Sequence, residues 1–115
     1  MLRNVIYKLT NIVNNKCYIG LTSREFSIRW QEHIKKLVEG EHENKHLQRA
    51  WNKYGSENFI FEVIEEVENP YLLPQREIYW IDYFDSYYNG YNETLGGEGV
   101  TFFEITFAGI PTAVA

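Results

Sequence analysis

The sequence predicts an α+β domain, in which a β-hairpin precedes two helices and a third strand precedes a third helix. Two short apolar, β-prone runs are separated by an asparagine-rich link, and a third run at 59–65 is rich in aromatic and β-branched residues. Apolar residues recur with helical spacing at 26–38, at 45–54 and after residue 74. With 115 residues, 44% of them apolar, the chain is long enough for one compact domain but not two.

The predicted hairpin pairs residues Val5 to Leu9 with residues Cys17 to Leu21. The link from Asn11 to Lys16 contains two consecutive asparagines, which tolerate tight backbone bends. Each strand carries one tyrosine, Tyr7 in the first and Tyr18 in the second. Taken alone, a strand tyrosine usually just packs in the core.

The first helix is expected to follow a hydroxyl N-cap at Thr22 or Ser23. At about 100° per residue, its apolar side chains form one stripe suited to a core. The stripe comprises Phe26, Trp30, Ile34, Leu37 and Val38. Arg29, His33 and Lys36 fall along one edge of this stripe, where they either extend from the core rim to solvent or face a site.

The second helix is predicted from about Lys45 to Tyr54, with Gly55 ending it. One side is apolar and carries Leu47, Ala50, Trp51 and Tyr54. The other side is basic and carries Lys45, Arg49 and Lys53. These basic residues either touch a nucleic-acid backbone or form a solvated charged face, which is the more common meaning of such a pattern.

The third strand is predicted from Phe59 to Glu65, with Glu65, Glu66 and Glu68 solvated at its end. Pro74 is expected in the first turn of the third helix. Within that helix Glu77 falls inside the apolar arc, where an unpaired carboxylate costs several kcal/mol. It therefore either pairs with an arginine or a tyrosine hydroxyl, or holds a cation.

The net charge of −5 argues against binding nucleic acid by charge alone. Residues 1–55 carry +5 and residues 56–115 carry −10, an asymmetry that is either accidental or marks one face for phosphate. One cysteine excludes an internal disulfide, suits a reducing cytosol and argues against a structural zinc site. No signal peptide or membrane-spanning run is present in the sequence.

The spacing Tyr-(x)10-Tyr-Ile-Gly-(x)8-Arg-(x)3-His, which begins at Tyr7 and ends at His33, resembles that of the GIY-YIG endonucleases. Within that family it is closest to the phage and group I intron homing type. Glu77 and Asn92 match later family positions, and the resemblance covers roughly residues 4–99. Val5 stands where the family usually has its first glycine.

The resemblance implies the GIY-YIG nuclease fold, a three-stranded antiparallel sheet flanked by helices, and a metal-dependent DNA endonuclease. The implied catalytic residues are Tyr7, Tyr18, Arg29, His33 and Glu77. The expected substrate-binding residues are Lys36, His42, Arg49 and Asn92. His42 and Asn92 match family positions, and Asn92 is expected mainly to hold the site together, whereas Lys36 and Arg49 are expected from the basic sides of their helices. The implied cofactor is a divalent metal ion on Glu77, Mg²⁺ with Mn²⁺ as the alternative.

In this scheme Arg29 presents a planar fork to phosphate oxygens. Tyr7 activates water, which requires nearby cations to lower its pKa from an ordinary value of about 10. Tyr18 and His33 orient the water or the phosphate, or relay protons. The competing hypotheses are a non-catalytic nucleic-acid-binding or interaction domain on the same scaffold, and a small structural α+β protein.

Residues 1–99 are expected to form the catalytic domain, and residues 100–115 an apolar tail of unassigned role, in which 101–107 is a candidate strand. The expected partner is DNA, bound weakly by this chain alone. A separate DNA-binding module or partner protein is expected to supply any sequence specificity. The expected location is the cytoplasm of a bacterium or of a virus-infected cell, with no membrane partner.

Overall fold

The computed structural model describes residues 2–97, and it contains the six predicted elements in the predicted order. The strands are β1 (Val5–Asn11), β2 (Cys17–Thr22) and β3 (Phe59–Glu66). The helices are α1 (Phe26–Glu39), α2 (Lys45–Tyr54) and α3 (Leu73–Phe84). The predicted tail and its candidate strand lie outside the described residues. Among residues 2–97 no helix is long and apolar enough to cross a membrane.

The three strands form one antiparallel sheet in the order β2-β1-β3, which confirms the predicted architecture. β1 is the central strand, and Val5, Ile6 and Tyr7 in it are almost fully buried. Tyr7 lies directly opposite Gly20 of β2. β2 is an edge strand, so its outer backbone groups need partners from elsewhere in the chain.

Helices cover both faces of this sheet. Successive side chains of a strand point to opposite faces, so β1 contributes residues to two separate apolar clusters. Ile6 and Ile19 belong to a cluster that includes Ile81 of α3. Leu9 belongs to a second cluster that includes residues of α1 and α2, such as Leu37. The catalytic candidates on α1 and those on α3 therefore reach the β2 edge from opposite faces of the sheet.

Two local predictions for α1 are wrong. Its N-cap is Glu25, whose carboxylate accepts from the Ser27 N–H at 3.2 Å, whereas the Thr22 hydroxyl accepts from the Arg24 N–H at 3.1 Å. Thr22 is still part of β2, so its hydroxyl caps the strand-to-helix turn instead. Val38 is 69% exposed, because it lies at the end of the apolar stripe, one residue before the helix ends at Glu39.

The expectation that Glu65 is simply solvated is also wrong. One of its carboxylate oxygens accepts hydrogen bonds from Arg76 Nε and Trp80 Nε1, each at 2.8 Å. Both donors come from α3, so this half-buried contact fastens α3 to the end of β3. Glu77 lies one residue after Arg76, and the contact therefore helps to fix the orientation of the helix that carries it.

Candidate active site

A cleft with a volume of about 250 Å³ opens beside the edge strand β2. It is lined by Tyr18, Arg29, His42, Glu43, Asn44, Glu77, Asn92, Glu93 and Thr94. Five of the predicted site residues therefore meet in one cavity, although they are spread over 75 positions of the chain. Tyr7 and His33 lie behind its wall, almost fully buried. Lys36 and Arg49 do not line this cleft and instead border two other cavities.

Gly20 determines where the Tyr7 side chain can lie. A Cβ atom built on Gly20 would be 2.4 Å from both Cζ and the hydroxyl oxygen of Tyr7. The Tyr7 phenol thus passes over β2 at Gly20, through space that the side chain of any other residue at that position would occupy. On its other side the Tyr7 ring stacks on Phe61 of β3 at 5.2 Å, so the ring is held from both neighbouring strands.

Behind the cleft, two histidines and Tyr7 form a chain of short hydrogen bonds. The Tyr7 hydroxyl lies 2.6 Å from His33 Nε2, and His33 Nδ1 lies 2.7 Å from His42 Nε2. The backbone N–H of Asn44 donates to His42 Nδ1 at 3.0 Å. We call the Tyr7, His33 and His42 side chains the buried relay.

The Asn44 N–H sets the direction of the whole relay. A neutral imidazole has one donor nitrogen and one acceptor nitrogen. Since His42 Nδ1 accepts from the backbone, His42 Nε2 carries the proton and donates to His33. His33 Nε2 then donates to the Tyr7 oxygen, which leaves the Tyr7 proton free to be donated elsewhere.

Both histidines of the relay are held neutral. Burial, followed by the nearby charge of Arg29 and by His42, lowers the pKa of His33 to about 3. Burial also lowers the pKa of His42. A neutral pair is the state that the assignment of donors and acceptors requires.

Arg29 links the relay to the cleft. Its guanidinium donates a hydrogen bond to the Tyr7 oxygen and another to Glu32, the latter at 3.1 Å. Glu32 also accepts two hydrogen bonds from Arg24, and these, followed by the bond from Arg29, lower the pKa of Glu32 to about 2. Glu32 thus orients the guanidinium while leaving it on the cleft wall.

Arg29 lowers the pKa of Tyr7 as the proposed role requires, but not enough to bring it below its ordinary value in the protein on its own. Burial raises the pKa of Tyr7 to about 12 and outweighs the charge and hydrogen bond of Arg29. The sequence pattern indicates the nearby cations but not the depth of the ring in the central strand. The phenol is accordingly protonated at neutral pH.

Glu77 approaches the cleft from α3, and its side chain is half-buried. Its Oε1 accepts a hydrogen bond from the Gly97 N–H at 3.2 Å. Glu77 therefore lies in a polar cleft, although its position on α3 is within the apolar arc of the helix.

The donor set fits a hard cation held by few protein ligands. Within residues 2–97, no group of three or more His, Cys, Asp or Glu side chains is arranged to hold a metal ion. Mg²⁺ commonly binds through one or two carboxylates and keeps several waters, with phosphate oxygens completing the shell. Glu77 beside an open polar cavity meets that requirement, whereas a zinc site with four protein ligands does not.

Asn92 forms hydrogen bonds with the outer backbone edge of β2 and so closes one side of the cleft. Its Oδ1 accepts from the Ile19 N–H at 2.8 Å, and its Nδ2 donates to the Ile19 carbonyl at 2.9 Å. The Asn44 side chain donates to the carbonyl of the preceding Tyr91 at 2.6 Å. These bonds fix segment 91–94 as one wall of the cavity.

Two supporting residues were missed from the sequence, Asn44 and Gln48. Gln48 is buried, and its side chain accepts from the His42 N–H and donates to the Leu37 carbonyl, both at 3.0 Å. It thereby joins the end of α1 to the link that carries His42. The available signal was a glutamine between Leu47 and Ala50 on the apolar side of α2.

The neutral relay makes folding stability depend on pH. Because the pKa of His33 is lowered from about 6.5 to about 3 on folding, the unfolded chain binds an extra proton between these values. The His33 contribution is therefore fully present above about pH 6.5 and is lost as pH falls toward 3. We expect the fall in unfolding free energy between pH 7.5 and 5, measured in urea, to be about 2 kcal/mol smaller in His33→Gln than in wild type.

His46 is the matched control, because it is an exposed histidine on α2, outside the relay. His46→Gln should retain most of the wild-type pH dependence. An unchanged pH dependence in His33→Gln would show that His33 is not held neutral in the folded protein.

The sequence is similar to one protein family and to two phage endonucleases. The family model described as GIY-YIG catalytic domain matches residues 3–92. Intron-associated endonuclease 1 of Enterobacteria phage T4 is 40% identical over 96 residues, which cover 79% of this chain and 37% of that protein. Putative endonuclease segB of the same phage is 37% identical over 95 residues, which cover 81% of this chain and 38% of that protein.

Solved structures agree with these sequence matches. The catalytic domain of homing endonuclease I-TevI superposes with a TM-score of 0.74 at 36% identity, covering 80% of this chain and 99% of that one. A mutant of the same catalytic domain superposes with a TM-score of 0.73, covering 81% of this chain and 95% of that one. The chain spans less than two fifths of the length of the two phage relatives.

Proposed function

The chain belongs to the GIY-YIG catalytic domain family, and on this premise we propose that it is a metal-dependent DNA endonuclease domain of the homing type. It would hydrolyse phosphodiester bonds in the cleft beside β2. The observation that carries the proposal is the meeting of Tyr18, Arg29 and Glu77 in that cleft, in front of the buried relay.

Arg29 would bind the phosphate that is cleaved. Its planar fork matches two phosphate oxygens, and a charged donor at this position opposes the negative charge that develops on them. Glu32 and Tyr7 hold the guanidinium before the substrate arrives. The Tyr18 ring borders the same space and would position the phosphate or the attacking water.

Tyr7 would act as the base that takes a proton from the attacking water. Its phenolate would accept hydrogen bonds from His33 Nε2 and from Arg29, and bonds to a charged form favour that form. His33 and His42 would thus stabilise and orient the phenolate. His42 is only 2% exposed, which supports action through His33 rather than the predicted direct contact with phosphate.

Nucleases of this family generally use a divalent metal ion, and Glu77 would hold it, with Mg²⁺ favoured and Mn²⁺ as the alternative. Such an ion would supply positive charge at the oxygen that leaves the phosphate. Asn92 would act by fixing the cleft wall through its bonds to Ile19. Lys36 pairs with Glu43, which lines the cleft, and would contact the DNA backbone beside it.

The substrate would be duplex DNA that this chain alone binds weakly, because its net charge is −5. A further DNA-binding module or a partner protein would then supply tight binding and sequence specificity. The location proposed for this activity is the cytoplasm of a bacterium or of a virus-infected cell.

The direct test is conversion of supercoiled plasmid to nicked circles by the purified chain. Nicking is expected with Mg²⁺ or Mn²⁺ and is expected to stop with EDTA. The same preparations should be tested for DNA binding at several salt concentrations. Salt-sensitive binding without cleavage in any divalent ion would instead support a non-catalytic nucleic-acid-binding domain on this scaffold.

A further inference from the structure

A second cavity, of about 190 Å³, lies between the β1–β2 turn and α2. Its lining residues are Asn14, Lys16, His46, Arg49, Ala50, Lys53, Tyr54 and Tyr91. Three lysine or arginine side chains and a histidine contribute to it, and no carboxylate does. We call this cavity the basic pocket.

The cations of the basic pocket are not neutralised by neighbouring acids. Within residues 2–97, Lys16, Arg49 and Lys53 form no ion pair with a carboxylate within 4.0 Å. Arg3, Lys35 and Lys45 are unpaired as well among the described residues, but they do not line the pocket, whereas Lys36 is paired with Glu43. A cavity lined by unpaired cations attracts anions more strongly than the average surface does.

The state of His46 agrees with a positive local potential. Burial lowers the pKa of His46, and the charges of Lys16 and Arg49 lower it further, whereas the charge of Glu93 opposes them as the smallest contribution. Its ring also packs edge-on against Tyr91, with ring centroids 5.0 Å apart, so it is a fixed part of the pocket.

The basic pocket and the active-site cleft share one wall. Tyr91 lines the pocket, while the next residues, 92–94, line the cleft. The Tyr91 hydroxyl accepts from Asn11 Nδ2 at 3.0 Å, and its carbonyl accepts from Asn44 Nδ2 at 2.6 Å. The spacing between the two cavities is therefore set by buried hydrogen bonds.

We propose that the basic pocket binds a second phosphate group of the DNA backbone, away from the phosphate that is cleaved. This inference rests on the proposed function. Arg49, with its planar fork, is the main ligand, and Lys16 and Lys53 add charge from either side. The contact positions the strand in the cleft and carries no sequence information.

The test compares Arg49→Gln with Arg3→Gln, each of which removes one positive charge. Arg3 is exposed at the opposite end of β1 from the turn that borders the basic pocket, which makes it the matched control. Binding of a duplex oligonucleotide is measured in EDTA over a range of salt concentrations. Arg49→Gln should weaken binding about three- to tenfold and reduce the salt slope by about one, and Arg3→Gln should do neither.

Steady-state nicking separates this contact from catalysis. For Arg49→Gln, KM should rise about three- to tenfold while kcat stays within about twofold of wild type. Equal effects of Arg49→Gln and Arg3→Gln on binding would overturn the second phosphate site. Failure of the wild-type chain to nick DNA would overturn the proposed function, whereas the binding comparison would still decide whether the pocket holds phosphate.

An independent readout is the NMR titration of His46 with inorganic pyrophosphate, which requires no cleavage. A bound anion should offset the charges of Lys16 and Arg49 and raise the pKa of His46 in wild type. The rise should be absent in Arg49→Gln. A pKa that does not move in wild type would count against the proposal.

Discussion

Replacing Glu77 by glutamine is expected to lower the nicking rate by about 10³-fold or more. The amide oxygen can still accept from the Gly97 N–H, so the local fold should persist. What is lost is the negative charge that would hold the divalent ion in the cleft. The rate should be measured under single-turnover conditions over a range of Mg²⁺ and Mn²⁺ concentrations, with circular dichroism to check folding.

The chain offers a matched control in Glu93, which lines the same cleft. Glu93→Gln removes the same charge and should reduce the rate far less, because Glu93 is exposed at the rim rather than half-buried on α3. Comparable losses in both variants would mean that the cleft needs overall negative charge instead of a specific ligand. A folded Glu77→Gln variant that cleaves at the wild-type rate would refute the assigned role.

The fold could be predicted because its signals are local. The short apolar run around Tyr7, the helical stripe of α1 and the proline at the start of α3 each act within a few residues. Contacts made across the chain could not be predicted in this way. Glu65 reads as one of several solvated glutamates, and only the packing of α3 brings Arg76 and Trp80 to it.

The site shows the same division between local and distant information. The spacing of Tyr7, Tyr18, Arg29 and His33 indicated which side chains to bring together, and α3 added Glu77. The spacing could not show that burial raises the pKa of Tyr7, because this burial depends on β1 lying between two other strands. Nor could it show that a backbone N–H would fix the histidine tautomers.

Tyr7→Phe is expected to lower the nicking rate by about 10³-fold, a typical contribution from a positioned base. The phenylalanine ring keeps the packing against Phe61 and the passage over Gly20. Only the oxygen that accepts from His33 and Arg29 is removed. Tyr79→Phe, which removes an exposed hydroxyl from the outer side of α3, should leave the rate unchanged and serves as the control.

The pH dependence separates a Tyr7 base from a merely structural hydroxyl. Since the pKa of Tyr7 is raised to about 12, the phenolate is a minor species at neutral pH, and its fraction grows about tenfold per pH unit. Wild-type kcat should therefore rise steeply between about pH 7 and pH 9. The residual rate of Tyr7→Phe should rise less steeply, because the residue that titrates is gone. Equal slopes in the two proteins would mean that another group accepts the proton and that Tyr7 only positions Arg29 and His33.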